Sequence, residues 1–386
     1  MNQQQSSRVA WLLPSMGRGG ISWQHILREF TQIFPNTRVF TGEWVGYVPG
    51  FEDSFELQTV GRTQFMETGK SNQGYGFGFS YASPTIIYHL FKFKPQVVIT
   101  NAFSVWSILA LLFKFLGGWR VIVAYEGGSP NSNYETNSLR LRSRRFIVAG
   151  ADGFVANSQA GKDYLINVLG ANPDKIFCRP FLVPSLDALL RSPQADQERL
   201  AETLPRPIFL HVGQIIERKG VRTLLEACHQ LKTKHLPFTL LLIGDGEQRP
   251  ELEAYTQTAG LEDAIHWLGK IDYGALGSYF RRADVFVFST NEDIWGMVLP
   301  EAMAFGKAVL CSKGAGAAEM VIHGENGFVF SPNQPQELAD LMGQFLETPT
   351  LATAMGAKSA EIMTAHTPAA ATTIFTAAVE HVQRAV

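Results

Sequence analysis

Along nearly its whole length the chain alternates short apolar runs with segments of helical periodicity, and this pattern points to parallel α/β architecture. In the first half VAWLLP, RVF, VVIT, RVIVAY and GFVANS read as strands, with helical patterns such as WQHILREFTQIF and SVWSILALLFKFL between them. In the second half the strands are IFLHVG, TLLLIGDG, IHWLG, VFVFST, AVLCS and GFVF. A chain of 386 residues is too long for one ordinary core, so two domains are expected. Pro180, Pro184, Pro193, Pro205 and Pro207 surround the polar stretch SPQADQERLAE, which suits an interdomain linker. The expected layout is one α/β domain over 1–185, a linker over 186–206 and a second α/β domain over 207–365. Residues 366–386 read as a C-terminal helix with the option of packing back on the first domain. The stretch Gly42–Ser83, rich in glycine and aromatics, is expected to hold a strand or two and a long loop.

Composition removes several function classes. Apolar residues make up 46% and charged residues 18%, which is globular material without a disordered tail. A net charge of -2 argues against nucleic acid as the main partner. Cys178, Cys228 and Cys311 lie far apart, and the histidines show no metal-ligand spacing, so no disulfide framework, zinc site or other metal is expected. The first apolar stretch ends at Pro14, and VWSILALLFKFLGG is interrupted by Lys114, well short of the ~20 residues a bilayer needs. A cytoplasmic protein is the resulting expectation, with an option at the inner membrane face. The basic run LRLRSRR, Leu139–Arg145, is the candidate for touching that membrane, against the alternative of a solvated helix face.

Two stretches carry chemistry. In STNEDIWGMVLPEAMAFGKAVLCS an apolar strand enters a polar turn, and a helix is expected to start near Leu299–Pro300. Backbone N–H groups at such a start suit an anion, and Gly296 permits close approach of a ligand. Glu301 in the first turn has two oxygens for vicinal hydroxyls, although acids also favour first turns for the dipole alone. Asp293 lies on the same loop, seven residues intervening, and is placed to address a second sugar. In HVGQIIERKGVRTLLEACHQL a strand ends at Gly213, and Arg218 and Lys219 stand before a helix opened by Gly220. Two adjacent cations at a helix entrance match the charge of a diphosphate.

Taken together, in this order and separation, these stretches resemble glycosyltransferase family 4. LLIGDGEQRPELEAYTQTAGLEDAIHWLGKI and SKGAGAAEMVIHGENGFVFSPNQPQELADLM are similar to the family's neighbouring segments, so nearly all of 207–345 is covered. The resemblance implies the GT-B fold, two Rossmann-like domains facing each other across a cleft. It implies a retaining transfer from a nucleotide-diphosphate sugar, UDP- or GDP-linked, with no metal and no tightly bound cofactor. Acceptor binding then falls to the first domain and donor binding to the second, the acceptor being a saccharide, a lipid-linked sugar or a small molecule. Glu301 would hold the donor ribose and Arg218 and Lys219 the diphosphate. The Gly296, Met297 and Val298 backbone would support phosphate and sugar, and Gly269 would lie near the base. The family usually has Glu at the place of Asp293 and often Arg at that of Gln214.

The first half matches more loosely. MGRGGISWQHILREF looks like the family's first glycine loop, which would put Gly19 and Gly20 beneath the donor phosphates. It lacks the full GxGxxG spacing of a dinucleotide site, which argues against hydride transfer. Where many members have a strand-end histidine this chain has Glu126, a candidate for contact with acceptor or transferred sugar, or else a polar loop residue beside Gly127 and Gly128. The aromatics of GYGFGFSY are candidates for stacking on a sugar or for packing within their own loop. The departures at Asp293 and Gln214 keep open a catalytically silent nucleotide-sugar-binding protein or partner subunit.

Overall fold

The computed structural model describes residues 6–16, 21–48, 50–70, 76–128, 138–190 and 204–384. The chain divides into two compact units, one gathering residues up to Val183 together with His366 onward, the other spanning Pro184–Ala365.

The first unit carries strands β1 (Val9–Leu12), β2 (Thr37–Thr41), β3 (Glu56–Thr59), β4 (Gln64–Lys70), β5 (Gly76–Tyr81), β6 (Val97–Asn101), β7 (Arg120–Tyr125), β8 (Gly153–Ala156) and β9 (Ile176–Cys178). Seven of them form one parallel sheet in the order β3-β2-β1-β6-β7-β8-β9. Every residue of β1 and β8 is buried, as are the last five of β7, because helices cover both faces of a parallel sheet. Those helices are α1 (Ile21–Ile33), α2 (Ile86–Phe93), α3 (Val105–Leu112), the short turn α4 (Lys114–Gly117), α5 (Ser138–Gly150) and α6 (Gln159–Asn167). Ser104 and Ser107 close a capping box at the start of α3, and Ser158 caps α6 by accepting from the Gly161 N–H. The stretch Gly42–Ser83 holds three strands among its described residues, where one or two were expected. It supplies β3 to the sheet edge, and β4 and β5 pair antiparallel as a separate ribbon.

The second unit holds β10 (Ile208–Val212), β11 (Thr239–Ile243), β12 (Ile265–Gly269), β13 (Val285–Phe288), β14 (Ala308–Ser312) and β15 (Gly327–Phe330). They pair in parallel in the order β12-β11-β10-β13-β14-β15. This is the doubly wound Rossmann order, whose direction reverses between β10 and β13. Around it lie α7 (Leu186–Leu189), α8 (Val221–Thr233), α9 (Arg249–Thr258), α10 (Leu276–Arg282), α11 (Val298–Ala304), α12 (Pro335–Glu347) and α13 (Thr350–Met363). Helix α7 falls where a linker was expected; it packs on the second unit, Leu189 and Leu190 lying against Gly277. Residues 191–203, the rest of the proline-flanked polar stretch, are outside the described residues.

Helix α14 (Pro368–Arg384) belongs to the first unit. Phe375 packs on Trp11 at 4.8 Å and on Phe181 at 5.2 Å, and Gln383 donates to the Ser7 hydroxyl at 3.0 Å.

Candidate functional site

In a doubly wound sheet, ligands collect at the carboxyl ends of the strands where the winding reverses. In the second unit those ends are Val212 and Phe288, and the loops leaving them contain Arg218, Lys219 and Asp293. The two loops are laced together. The Arg218 carbonyl accepts from the Asn291 N–H at 2.7 Å and from the Thr290 hydroxyl at 2.9 Å, and the Lys219 carbonyl accepts from the Ser289 hydroxyl at 3.1 Å. The lacing aims both cations at the acidic loop. Lys219 Nζ donates to Asp293 Oδ2, and Arg218 Nη1 lies 3.6 Å from the same oxygen while donating to the Glu292 carbonyl at 3.0 Å. Lys219 also stands over the Phe288 ring at 5.3 Å. Burial pulls the lysine pKa down, and Asp293 pulls it part of the way back.

From the other side the acidic loop rests on residues 313–317. Asp293 donates its N–H to the Gly314 carbonyl at 2.8 Å and accepts from the Gly316 N–H at 3.0 Å. A Cβ on Gly314 would stand 2.2 Å from the Asn291 carbonyl oxygen, so only glycine lets the backbones touch there. Gly296, at φ +94°, turns the chain into α11, and a Cβ there would meet Phe288 Cε1 at 2.3 Å. Helix α11 begins at Val298 after Met297, so Pro300 is its third residue and not its first. That start places Glu301 on the inner face of the first turn, 5% exposed, where Tyr273 donates to its Oε1 at 2.9 Å. Burial raises the Glu301 carboxyl to about 7, and the Tyr273 hydrogen bond opposes that rise. Gly213 follows β10 and receives support from the Ile243 carbonyl, while the Gly269 carbonyl at the end of β12 accepts from the Gly244 N–H at 2.8 Å.

Buried His211, with Nδ1 3.1 Å from the Val287 carbonyl, is a core residue whose pKa burial lowers to about 4. Among the described residues no group of His, Cys, Asp and Glu side chains is arranged to hold a metal ion.

Glu126 lies in the first unit, one residue past β7. Its Oε1 accepts from Trp23 Nε1 and from Asn101 Nδ2, each at 3.2 Å, and burial raises its pKa. Gly19 and Gly20 lie outside the described residues, as do the side chains of Gly76–Ser80.

Sequence reasoning missed Tyr273, the Ser289–Thr290 lacing, and the Asn101–Trp23 clamp on Glu126. The clamp's only trace in sequence is that Asn101 and Glu126 each stand at the end of an apolar run. The closely spaced glycines of SKGAGAAE were a readable signal for the backbone contact under Asp293.

Residues 193–362 match the family model for glycosyl transferases group 1, and residues 45–180 match that for glycosyltransferase family 4. The D-inositol 3-phosphate glycosyltransferase of Xylanimonas cellulosilytica is 26% identical over 219 residues, 54% of this chain and 51% of that one. The alpha-D-kanosaminyltransferase of Streptomyces kanamyceticus is 28% identical over 157 residues, 41% of each. The chain spans about half the length of the curated relatives it matches. In fold it is similar to Anabaena HepE, solved in complex with UDP, with TM-score 0.75, 18% identity, and coverage of 97% of this chain and 99% of that one. It is also similar to sucrose-phosphate synthase from Thermosynechococcus elongatus, with TM-score 0.73, 20% identity, and coverage of 98% and 100%. Two parallel-sheet Rossmann-like domains with these likenesses define a protein of the GT-B fold. The chain belongs to glycosyltransferase family 4.

Proposed function

We propose that the chain is a retaining, metal-independent glycosyltransferase moving a sugar from a UDP- or GDP-sugar to a saccharide, lipid-linked or small-molecule acceptor. The observation that carries the reading is the arrangement at the switch point of the second sheet. Two half-buried cations and a buried carboxylate with a tyrosine partner stand on the loops and helix that leave β10 and β13. In this reading Glu301 accepts hydrogen bonds from the ribose hydroxyls, and Arg218 and Lys219 take the diphosphate. The Gly296–Val298 backbone flanks phosphate and sugar, and Gly213 and Gly269 flank the nucleotide. Asp293 addresses the sugar, Gly19 and Gly20 serve the donor phosphates, and Glu126 serves acceptor or transferred sugar.

The bond from the anomeric carbon to the diphosphate oxygen breaks, and the acceptor oxygen bonds that carbon on the same face. The acceptor's proton passes to the departing phosphate oxygen, and the negative charge left on the nucleotide is met by Arg218 and Lys219. Two side-chain cations supply the neutralisation that a metal would otherwise provide. UDP is the preferred donor base because HepE was solved with it. Cys178, Cys228 and Cys311 form no disulfide, which suits a reducing compartment.

One observation favours a second reading, a catalytically silent nucleotide-sugar-binding protein. Lys219 and Arg218 are already engaged by Asp293, so a ligand phosphate must compete with a residue of the chain. Thermal unfolding with UDP-, GDP- and ADP-sugars in the absence of metal, followed by an assay of donor hydrolysis, separates the two. Ligand at ~100 times its Kd adds about 2.7 kcal/mol and raises the melting temperature visibly. A shift with one nucleotide accompanied by turnover supports the enzyme, a shift without turnover supports the silent binder, and no shift removes both.

A further inference from the structure

The chain leaving β12 returns toward Glu301. Gly269 closes that strand, and a few residues on Tyr273 donates to Glu301 Oε1 at 2.9 Å. A ribose held by Glu301 therefore lies beside the short segment from Gly269 to Tyr273. The base, one glycosidic bond further, falls within reach of Gly269. That edge carries no side chain of its own. The Gly269 carbonyl accepts from the Gly244 N–H at 2.8 Å, which fixes the ends of β11 and β12 against each other. A Cβ on Gly269 would have one near neighbour among the described residues beyond the adjoining chain, Arg249 Nη1 at 3.4 Å. Arg249 is the first residue of α9, and its Nε donates to Glu253 Oε1 at 2.7 Å, one turn along the helix. This ion pair sets the guanidinium with Nη1 toward Gly269. The Arg249 side chain is 27% exposed, whereas Lys270, which stands 3.9 Å from Asp245, is 81% exposed and out in solvent.

We propose that Arg249 selects the donor's base by donating to a ring carbonyl, so that the site takes uracil or guanine and rejects cytosine and adenine. The inference rests on the donor-site reading above and adds to it the residue that chooses the nucleotide. A guanidinium has five N–H donors and no acceptor. Uracil O4 and guanine O6 are acceptors, whereas cytosine and adenine hold an amino group, itself a donor, at the matching place. Against such an amino group Arg249 loses its hydrogen bond and two donors face each other. Sites built to hydrogen-bond a ligand reject that kind of mismatch strongly. Arg218 and Lys219 meet the diphosphate, which all four nucleotides share, so their contribution to affinity does not depend on the base.

The test is calorimetric titration of the full chain with UDP, GDP, CDP and ADP. UDP and CDP make the sharpest pair, because their bases differ only in the carbonyl or amino group and the ring proton that goes with it. UDP should bind about tenfold or more tightly than CDP, and the tighter of UDP and GDP identifies the base. R249M keeps the apolar stem and removes every donor. It should weaken UDP about tenfold and leave CDP within about twofold, so that the preference collapses. An unchanged melting temperature and unchanged CDP affinity would show that the variant folds with its diphosphate site intact. E253Q removes the ion pair on α9 but keeps the guanidinium, and its preference for UDP over CDP should remain. Equal affinity of the parent for UDP and CDP, tightest binding of ADP, or a preference that survives R249M would overturn the role of Arg249 while the donor site stands. A preference lost equally in E253Q would also overturn it, by tracing the effect to the helix ion pair. Binding of none of the four nucleotides would instead remove the donor-site reading, and this inference with it.

Discussion

The two units are wound alike, yet they furnish the ends of their central strands with opposite electrostatics. In the second unit the loops after β10 and β13 bring together Arg218, Lys219 and Asp293, and their backbones are hydrogen-bonded across the gap. In the first unit the ends of β6 and β7 bring Asn101 and Glu126 together with Trp23; burial raises the Glu126 pKa, and the hydrogen bonds from Asn101 and Trp23 oppose that rise. One edge carries paired charges laced by backbone hydrogen bonds; the other is a half-buried acid clamped by neutral donors. Topology therefore sets where a ligand can sit, while the loops decide what charge it carries.

The comparison breaks most directly at its two carboxylates. Glu301→Ala should abolish stabilisation by nucleotide sugar and lower transfer by about 100-fold, since two hydrogen bonds to a charged group are lost. Glu126→Ala should lower transfer while leaving nucleotide stabilisation intact. If Glu126→Ala also removed that stabilisation, the division of labour between the edges would fail.

A smaller effect concerns Tyr273. The Glu301 carboxyl is raised from 4.5 to about 7, so the folded chain holds that proton more tightly than the unfolded one. Without ligand, stability from Glu301 is present at acid pH and is lost as pH rises from the ordinary carboxylate value through about 7. Binding to ribose needs the carboxylate, so affinity for a UDP-sugar should rise over the same interval. Tyr273→Phe removes the hydrogen bond that favours the charged form. It should weaken binding about tenfold near neutrality and move the midpoint of the pH profile upward. A weaker but unshifted profile, measured by calorimetric titration across pH, would mean that Tyr273 only packs.

The smallest effect sharpens the role of Asp293. Asp293→Asn frees Lys219 and Arg218 from their carboxylate, so UDP should bind about threefold to tenfold more tightly. A UDP-sugar should gain less, because the same change weakens contact with the sugar. Equal gains for both would make Asp293 a counter-ion without a part in sugar recognition.

What sequence could and could not show follows the physics of each element. Strands β1, β7, β10, β13 and β14 were legible because parallel strands covered on both faces become unbroken apolar runs. The ribbon β4–β5 was harder, because its glycines and mixed polarity erase the period of two. Around the candidate site the acidic loop, the cation pair and the start of α11 could be located by their turn and helix signals. What their side chains touch could not. Tyr273 reaches Glu301 across 28 residues, and the loop lacing spans 70 or more, distances at which local pattern carries no information. That α14 packs back on the first unit was only an option in the sequence, since the contacts that fix it, such as Thr372 to the Ile26 carbonyl, span 346 residues.

That returning helix has a consequence for how the chain is born. The buried surface of Trp11 and Phe181 is closed by Phe375, so the first unit lacks part of its core until residues 368–384 have left the ribosome. The second unit, contained between Pro184 and Ala365, is synthesised and free to fold inside that wait. The order of completion is thus the reverse of the order of synthesis.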